Sequence, residues 1–148
     1  VAEWVKRENR EIGDYLLDET TVYRTSKTGG TKGSKIASYS QIPVLPLAEL
    51  ASVYGMGAFK YPNDEATGLP NYMLGMPYSW HMDAVLRHWE QFRAGVNFDP
   101  QSGLHVLAHS AWYSMTLMQY QLLGIGEDDR HVRVKNSFRD FISPPSKL

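Results

Sequence analysis

Two helical hydrophobic patterns, joined by a connection too short to let them separate, constrain this chain more than any other feature. Between residues 79 and 95, Met82, Val85, Leu86, Trp89 and Phe92 recur at steps of three and four, the spacing that puts side chains on one face of an α-helix. Ser79 offers a capping hydroxyl at its start, and Gly95 a stop. A longer pattern over residues 102–123 aligns Leu104, Leu107, Ala108, Ala111, Met115, Met118 and Leu122 as a broad apolar face, with Gly124 to close it. Only residues 96–101 intervene, so helices near 80–94 and 102–123 are expected as antiparallel neighbours. A third helix is expected near 46–58, with Pro46 in its first turn and Leu47, Leu50, Ala51, Tyr54 and Ala58 on one face, while Gly55 and Gly57 weaken its end. The expected fold class is mainly α: a helical bundle centred on an antiparallel αα-hairpin, with irregular N- and C-terminal arms.

The remaining chain reads as arms and loops. Residues 61–78 carry Pro62, Pro70 and Pro77 together with Gly68 and Gly75, the composition of an irregular loop of functional length. Residues 21–35 begin with a β-favouring run and end in a loop with three glycines and three lysines. Such a loop can turn N–H groups and cationic charge toward phosphate, although it lacks the spacing of a P-loop; the plainer reading is a surface loop. The expected organisation is a charged N-terminal arm over 1–21, a helical domain over 22–123 and a C-terminal extension over 124–148 with strand character at 132–134. Glu8, Glu11 and Asp14 share a spacing suited to a cation but read as solvated charge.

Composition narrows the function classes. At 148 residues, with 43% hydrophobic side chains, the chain has enough material for one core and too much apolar character for disorder. The absence of Cys removes disulfides and thiolate metal sites, leaving His, Asp, Glu and carbonyl oxygen as donors and favouring a hard ion such as Mg²⁺ or Mn²⁺. A net charge of −1 gives no general attraction for a phosphate backbone, so long nucleic acid is not an expected partner. No membrane partner is expected either, because no run of apolar residues reaches bilayer length. The N-terminus is too charged for a signal peptide, so a cytoplasmic location is expected.

The residues able to do chemistry concentrate on the two central helices. His81 and His88 stand two turns apart on the first, and His105 and His109 stand at i and i+4 on the second. If those faces meet, a histidine-rich site forms between the helices with Asp99 at their junction, and Asp83 and Glu90 are near enough in sequence to add carboxylate. No H-E-x-x-H motif is present, and histidine pairs of this kind are also common as structural residues. Arg87 beside His88 suits a phosphate, or alternatively a salt bridge to Asp83 at i−4. Tyr54, Tyr61, Trp80, Trp89, Trp112 and Tyr113 offer either a base-stacking wall or core.

Read in order, KTGGTKGSK (27–35), IPVLPLAELASVYGMGAFKY (42–61), NYMLGMPYS (71–79), AVLRHWEQFRAG (84–95) and DPQSGLHVLAH (99–109) resemble the phage dATP/dGTP diphosphohydrolase N-terminal family. The likeness covers roughly residues 22–123. Its most specific parts are GA-x-KY at 57–61, Arg87-His88 and D-P-x-S-G-x-H at 99–105. The resemblance implies hydrolysis of a deoxynucleoside triphosphate to monophosphate and pyrophosphate with Mg²⁺ (or Mn²⁺), similar in logic to the MazG-type pyrophosphatases, in the host cytoplasm during phage infection. On this reading Asp99, His105 and His109 lie at the metal, and His88 and Asp99 act in catalysis. Lys60 and Arg87 hold phosphate, and Tyr61 and Asn71 lie near the sugar or base.

A deoxynucleotide is then the expected ligand and a homo-oligomer the expected state, because so thin a helical unit cannot cover both its faces. The sequence departs from the family at three places. Val96 and Gln101 stand where carboxylates are common, and Tyr72 follows Asn71 where Trp is common. The losses of charge support one alternative, a nucleotide-binding or sequestering protein without turnover, and the charged arms at both ends hint at another, a virion or assembly component.

Overall fold

The computed structural model describes residues 21–35 and 37–131. The arm expected over 1–21, apart from Thr21, and the strand expected at 132–134 lie outside them. The described chain is mainly helical, as its periodicity predicts. In chain order it contains strands β1 (Thr21–Thr25) and β2 (Thr31–Lys35), then helices α1 (Val44–Lys60), α2 (Tyr78–Arg93) and α3 (Val106–Leu123). Short 3-10 turns sit at Tyr39–Gln41 and Asn71–Leu74. No described helix is long and apolar enough to cross a membrane.

The lysine-rich end of the first segment is a strand rather than a loop. β1 and β2 pair antiparallel, with Val22 opposite Ser34 and Tyr23 opposite Gly33. The turn between them is closed by Ser26 N–H to Gly30 O at 2.8 Å, and Thr25 and Thr31 join hydroxyls across it at 3.0 Å. Flanking β-branched residues and a Gly-containing turn make a ribbon of this segment.

α1 starts two residues before Pro46, which fits in the first turn because its missing N–H would have no intrahelical acceptor there. The start of α2 is also supported differently from expectation. Ser79 is inside the helix, and both its backbone N–H and its hydroxyl donate to the Asp129 carboxylate. A negative group from beyond α3 thus terminates α2 at its positive end. The chain past α3 doubles back to deliver it, with Tyr78 N–H donating to Glu127 O at 2.9 Å, and from within α3 the Tyr120 hydroxyl donates to Tyr72 O.

α3 starts at Val106 rather than 102, because residues 99–104 close on themselves. Asp99 N–H donates to Leu104 O and Ser102 N–H to Asp99 Oδ2, both at 2.8 Å, while Gly103 N–H reaches Asp99 O at 2.7 Å. An aspartate that satisfies the backbone two or three residues on competes with helix formation, and here it wins. His105 consequently falls on the N-cap, where its Nδ1 accepts Leu107 N–H at 3.1 Å. Gly124 ends the helix in the left-handed region as expected, with φ +67°.

Ring contacts pair Phe92 with His105, His88 with His109 and His81 with Tyr120, so numbers rise along α2 as they fall along α3. The faces these helices turn inward are only in part the expected apolar ones: Ala108 is buried and Met82, Val85, Leu107 and Leu122 are half-buried. Tyr78, His81, Ala84 and His88 are buried on α2, and Val106, His109, Ser110, Thr116 and Tyr120 among others on α3. Leu86, Trp89, Met115 and Met118 remain 64%, 52%, 44% and 56% exposed. Periodicity establishes that a helix has two unlike faces. In this chain the polar-aromatic face is the enclosed one.

Candidate functional site

The inward faces enclose a cavity of about 820 Å³, floored by α2 and α3 and rimmed by the end of α1 and the loops before α2 and α3. Two groups of side chains line it. The first is aromatic: Tyr54, Tyr72 and Trp112 form a triangle with centroids 5.8 to 5.9 Å apart. Burial, together with the neighbouring Tyr72, pushes the Tyr54 phenol up to about 12, so it remains a neutral donor. The second is polar: Lys60, Arg87, His88, Asp99, Ser102 and His109. Tyr113 joins the two, touching His81 edge-on at 5.5 Å and stacking on His88 at 5.9 Å.

Within the polar group the hydrogen bonds form a connected set. His88 and His109, both buried, stack at 5.0 Å with their planes 19° apart. His88 Nδ1 donates to Gln91 Oε1 at 2.8 Å, since a carbonyl oxygen can only accept. His109 Nε2 shares a 2.7 Å hydrogen bond with Ser102 Oγ, and Ser102 N–H in turn donates to Asp99. Burial and the adjacent His88 lower the His109 pKa, against the opposing pull of Asp99 from the turn and Glu49 from α1. Burial alone would raise Asp99, but hydrogen bonds from Ser102 and the charge of His109 hold it below the ordinary carboxylate value. The site therefore combines a neutral imidazole with an ionised carboxylate one serine away.

Lys60, Tyr61, Asn71, Arg87, His88, Asp99 and His109 all line this cavity, and His105 does not. His105 was expected to share a helical face with His109. That requires both to lie inside the helix, whereas the Asp99 turn leaves His105 at the cap with its ring against Phe92 and Phe98, at 6.0 and 5.5 Å. The expected metal set of Asp99, His105 and His109 is therefore not assembled. Among the described residues no group of three or more His, Asp or Glu is placed to hold a metal ion, and Asp99 is the one carboxylate in the lining. These residues do not fit a resident metal centre.

The salt bridge from Arg87 to Asp83 does not form among the described residues; Glu90 pairs instead with Arg93 at 2.7 Å. Arg87 is exposed at the cavity mouth, and Lys60 Nζ lies 5.3 Å from the Tyr61 ring centre. Sequence reasoning missed Ser102 and Gln91 as members of the site. Gln91 stands three residues after His88 and was recoverable from helical spacing. Ser102 was hidden by its assignment to a helix.

Two buried imidazoles make the fold sensitive to acid. His81 and His109 both titrate below the ordinary 6.5 in the folded chain, so the unfolded chain takes up protons first as the pH falls. Their contribution is complete above 6.5 and declines below it. The lowered carboxylates Asp64, Asp99 and Asp129 add their own loss only as the pH approaches and passes below 3.8. The melting temperature should fall between pH 7 and 5, with a shallower slope in His81→Phe; calorimetric scans showing equal slopes would contradict the assignment.

The model of the family described as dATP/dGTP diphosphohydrolase, N-terminal, matches residues 26–130, a span that contains every residue of the cavity. Comparison with curated proteins and with solved structures gives no match. The order of short motifs, the helices that carry them and this match over most of the chain agree: the protein belongs to the dATP/dGTP diphosphohydrolase N-terminal family.

Proposed function

We propose that the chain hydrolyses a deoxynucleoside triphosphate of the dATP/dGTP class to the monophosphate and pyrophosphate. The observation that carries this reading is one cavity holding an aromatic triangle together with Lys60 and an Arg87 free of ion pairs among the described residues. An aromatic base with an anionic tail matches both halves, and the family name points the same way. Arg87 and Lys60 take phosphate oxygens, while Tyr61 and Asn71 lie beside the sugar.

Water attacks the α-phosphorus, a new P–O bond forms, and the bond to the β-phosphate oxygen breaks, its electron pair leaving with pyrophosphate. The water's proton passes through the Ser102 hydroxyl to His109, which is held neutral to receive it. Asp99 stabilises the imidazolium that results, and His88, fixed by Gln91, orients the phosphate. Mg²⁺ or Mn²⁺ arrives as part of the substrate complex, since a triphosphate supplies the oxygens that this lining lacks.

Gln101 favours a second reading. It lines the cavity as a neutral amide, so a chain that binds and holds the nucleotide without turnover fits the same walls. Incubating the protein with each dNTP and NTP, with and without Mg²⁺ or Mn²⁺, and resolving products by chromatography separates the two. Monophosphate plus pyrophosphate supports hydrolysis; a ligand-dependent rise in melting temperature without product supports the binder. If neither occurs, both are wrong.

We further propose that a second copy of the chain covers the outward apolar faces of α2 and α3. Leu86 and Trp89 on α2 and Met115 and Met118 on α3 are each 44% or more exposed, large apolar side chains that a second copy would cover. Light scattering at micromolar concentration should give a multiple of 16.8 kDa, falling toward 16.8 kDa in Trp89→Glu. A monodisperse monomer for the unmodified chain would refute it.

A further inference from the structure

His81 is the least accessible polar residue lining the cavity, 1% exposed, and neither of its ring nitrogens has a hydrogen-bond partner among the described residues. The buried indole N–H of Trp112, also in the lining, is unpartnered in the same way. The two rings are nearly parallel, with centroids 6.1 Å apart and planes at 16°. Tyr113 and Tyr120 close on His81 edge-on at 5.5 and 5.0 Å, and Tyr54 and Tyr72 close on Trp112 at 5.8 and 5.9 Å. Buried polar atoms are nearly always paired, so a Trp112 N–H and a His81 ring both left orphaned in one cavity wall call for a partner brought from outside, one that reaches the indole N–H and one of the two imidazole nitrogens. The aromatic enclosure gives that partner the shape of a flat, π-rich ring.

We propose that His81 and Trp112 read the base: the Trp112 N–H donates to N7 of a purine while His81 engages the group on the adjacent C6. This rests on the triphosphate reading above and adds what selects among triphosphates. Trp112 can only donate, which requires an acceptor such as N7 and leaves a pyrimidine, with a carbon at the corresponding place, unable to satisfy it. Burial keeps His81 neutral, so it has one donor and one acceptor whose positions exchange with the tautomer. One tautomer accepts from a 6-amino group and the other donates to a 6-oxo group. A single residue therefore serves adenine and guanine alike. Because the three nitrogens are covered by neighbouring rings, the base enters as one ring of the wall turns aside.

The test compares dATP with 7-deaza-dATP, which lacks only the N7 acceptor, and with dTTP, using kcat/KM or, if the chain binds without cleaving, Kd. The unmodified protein should prefer dATP over 7-deaza-dATP by tenfold or more, about 1.4 kcal/mol. Trp112→Phe, which keeps the ring and removes the N–H, should abolish that preference. His81→Phe should lose at least tenfold of the purine preference without a lower melting temperature at neutral pH, since it removes polar atoms that had no partner. Equal treatment of dATP and 7-deaza-dATP by the unmodified protein overturns the inference and leaves the triphosphate reading standing. So does a preference that survives Trp112→Phe, as it would if a buried water served these atoms. Failure to bind or cleave any triphosphate overturns both.

Discussion

Replacing Arg87 with Ala should lower kcat/KM for the preferred deoxynucleoside triphosphate by about 100-fold, with the melting temperature almost unchanged. The size of the effect follows from the place of the guanidinium. Charge-assisted, bidentate hydrogen bonds to phosphate are among the strongest contacts a side chain makes, and those that tighten as charge develops on the leaving pyrophosphate act on the rate. The lack of a stability effect follows from its exposure. Arg87 has no ion pair among the described residues, and its truncation removes a solvated group from a helix surface, worth within about 0.5 kcal/mol. Arg87→Lys should recover only part of the rate, because an ammonium is a point charge without the fork. A melting temperature lowered by several degrees, with kcat/KM unaltered, would make Arg87 a structural residue.

How far such a site was legible in the sequence depends on the element that carries it. That Arg87, His88 and Asp99 come together in one cavity lining was readable because their places follow from local order: two belong to a helix whose existence is strongly periodic, and the third to the connection that follows it. His105 was misread by the same rule that placed His109 well. Helical spacing relates two residues only if both are in the helix, and the competition between a helical first turn and the Asp99 turn is decided by a few hydrogen bonds that no periodicity encodes. The cap of α2 was illegible for a different reason. Asp129 is 50 residues from Ser79, and a contact of that range depends on the return of the chain after α3.

The inward direction of α2 and α3 was only partly legible, for a reason that bears on function. Apolar faces normally mark the core, a rule that would place Met115 and Met118 of α3 and Leu86 of α2 there. The enclosed face instead gathers His81, His88, His109, Tyr113 and Tyr120, packed edge-to-face and stacked. Aromatic rings with a polar edge can close a space in the absence of ligand and still leave donors and acceptors inside it. A chain that spends its inner face on a site must cover its outer face otherwise. The site and the proposed self-association thus follow from one choice of face.

The largest structural effect is expected at a backbone position, Gly126, beside the Tyr120 ring. The backbone there has φ +76°, and a Cβ added to it would stand 2.6 Å from the Met76 carbonyl oxygen and 3.3 Å from the Tyr120 ring. Its neighbour across the gap, Gly75, has φ +86°, and a Cβ on it would meet the Gly126 nitrogen at 2.7 Å. Two main chains therefore touch with no room for a methyl group on either, and the atoms in the way are backbone that cannot swing aside. Gly126→Ala should cost roughly 3 kcal/mol or more, the sum of a left-handed alanine and a forced displacement of the loop. Gly68→Ala is the control: its φ of +71° imposes a similar conformational penalty, but nothing lies within 4 Å of the added carbon, so about 1 kcal/mol is expected. The difference should also reach the cavity. The loop that Gly126 presses on carries Asn71, Tyr72 and Met76 into the lining and accepts the Tyr120 hydroxyl at Tyr72 O. Gly126→Ala should thus weaken nucleotide binding even at temperatures where the chain stays folded, whereas Gly68→Ala should not. Equal denaturation midpoints for the two variants in urea would show that the close approach of residues 75 and 126 does not hold the fold together.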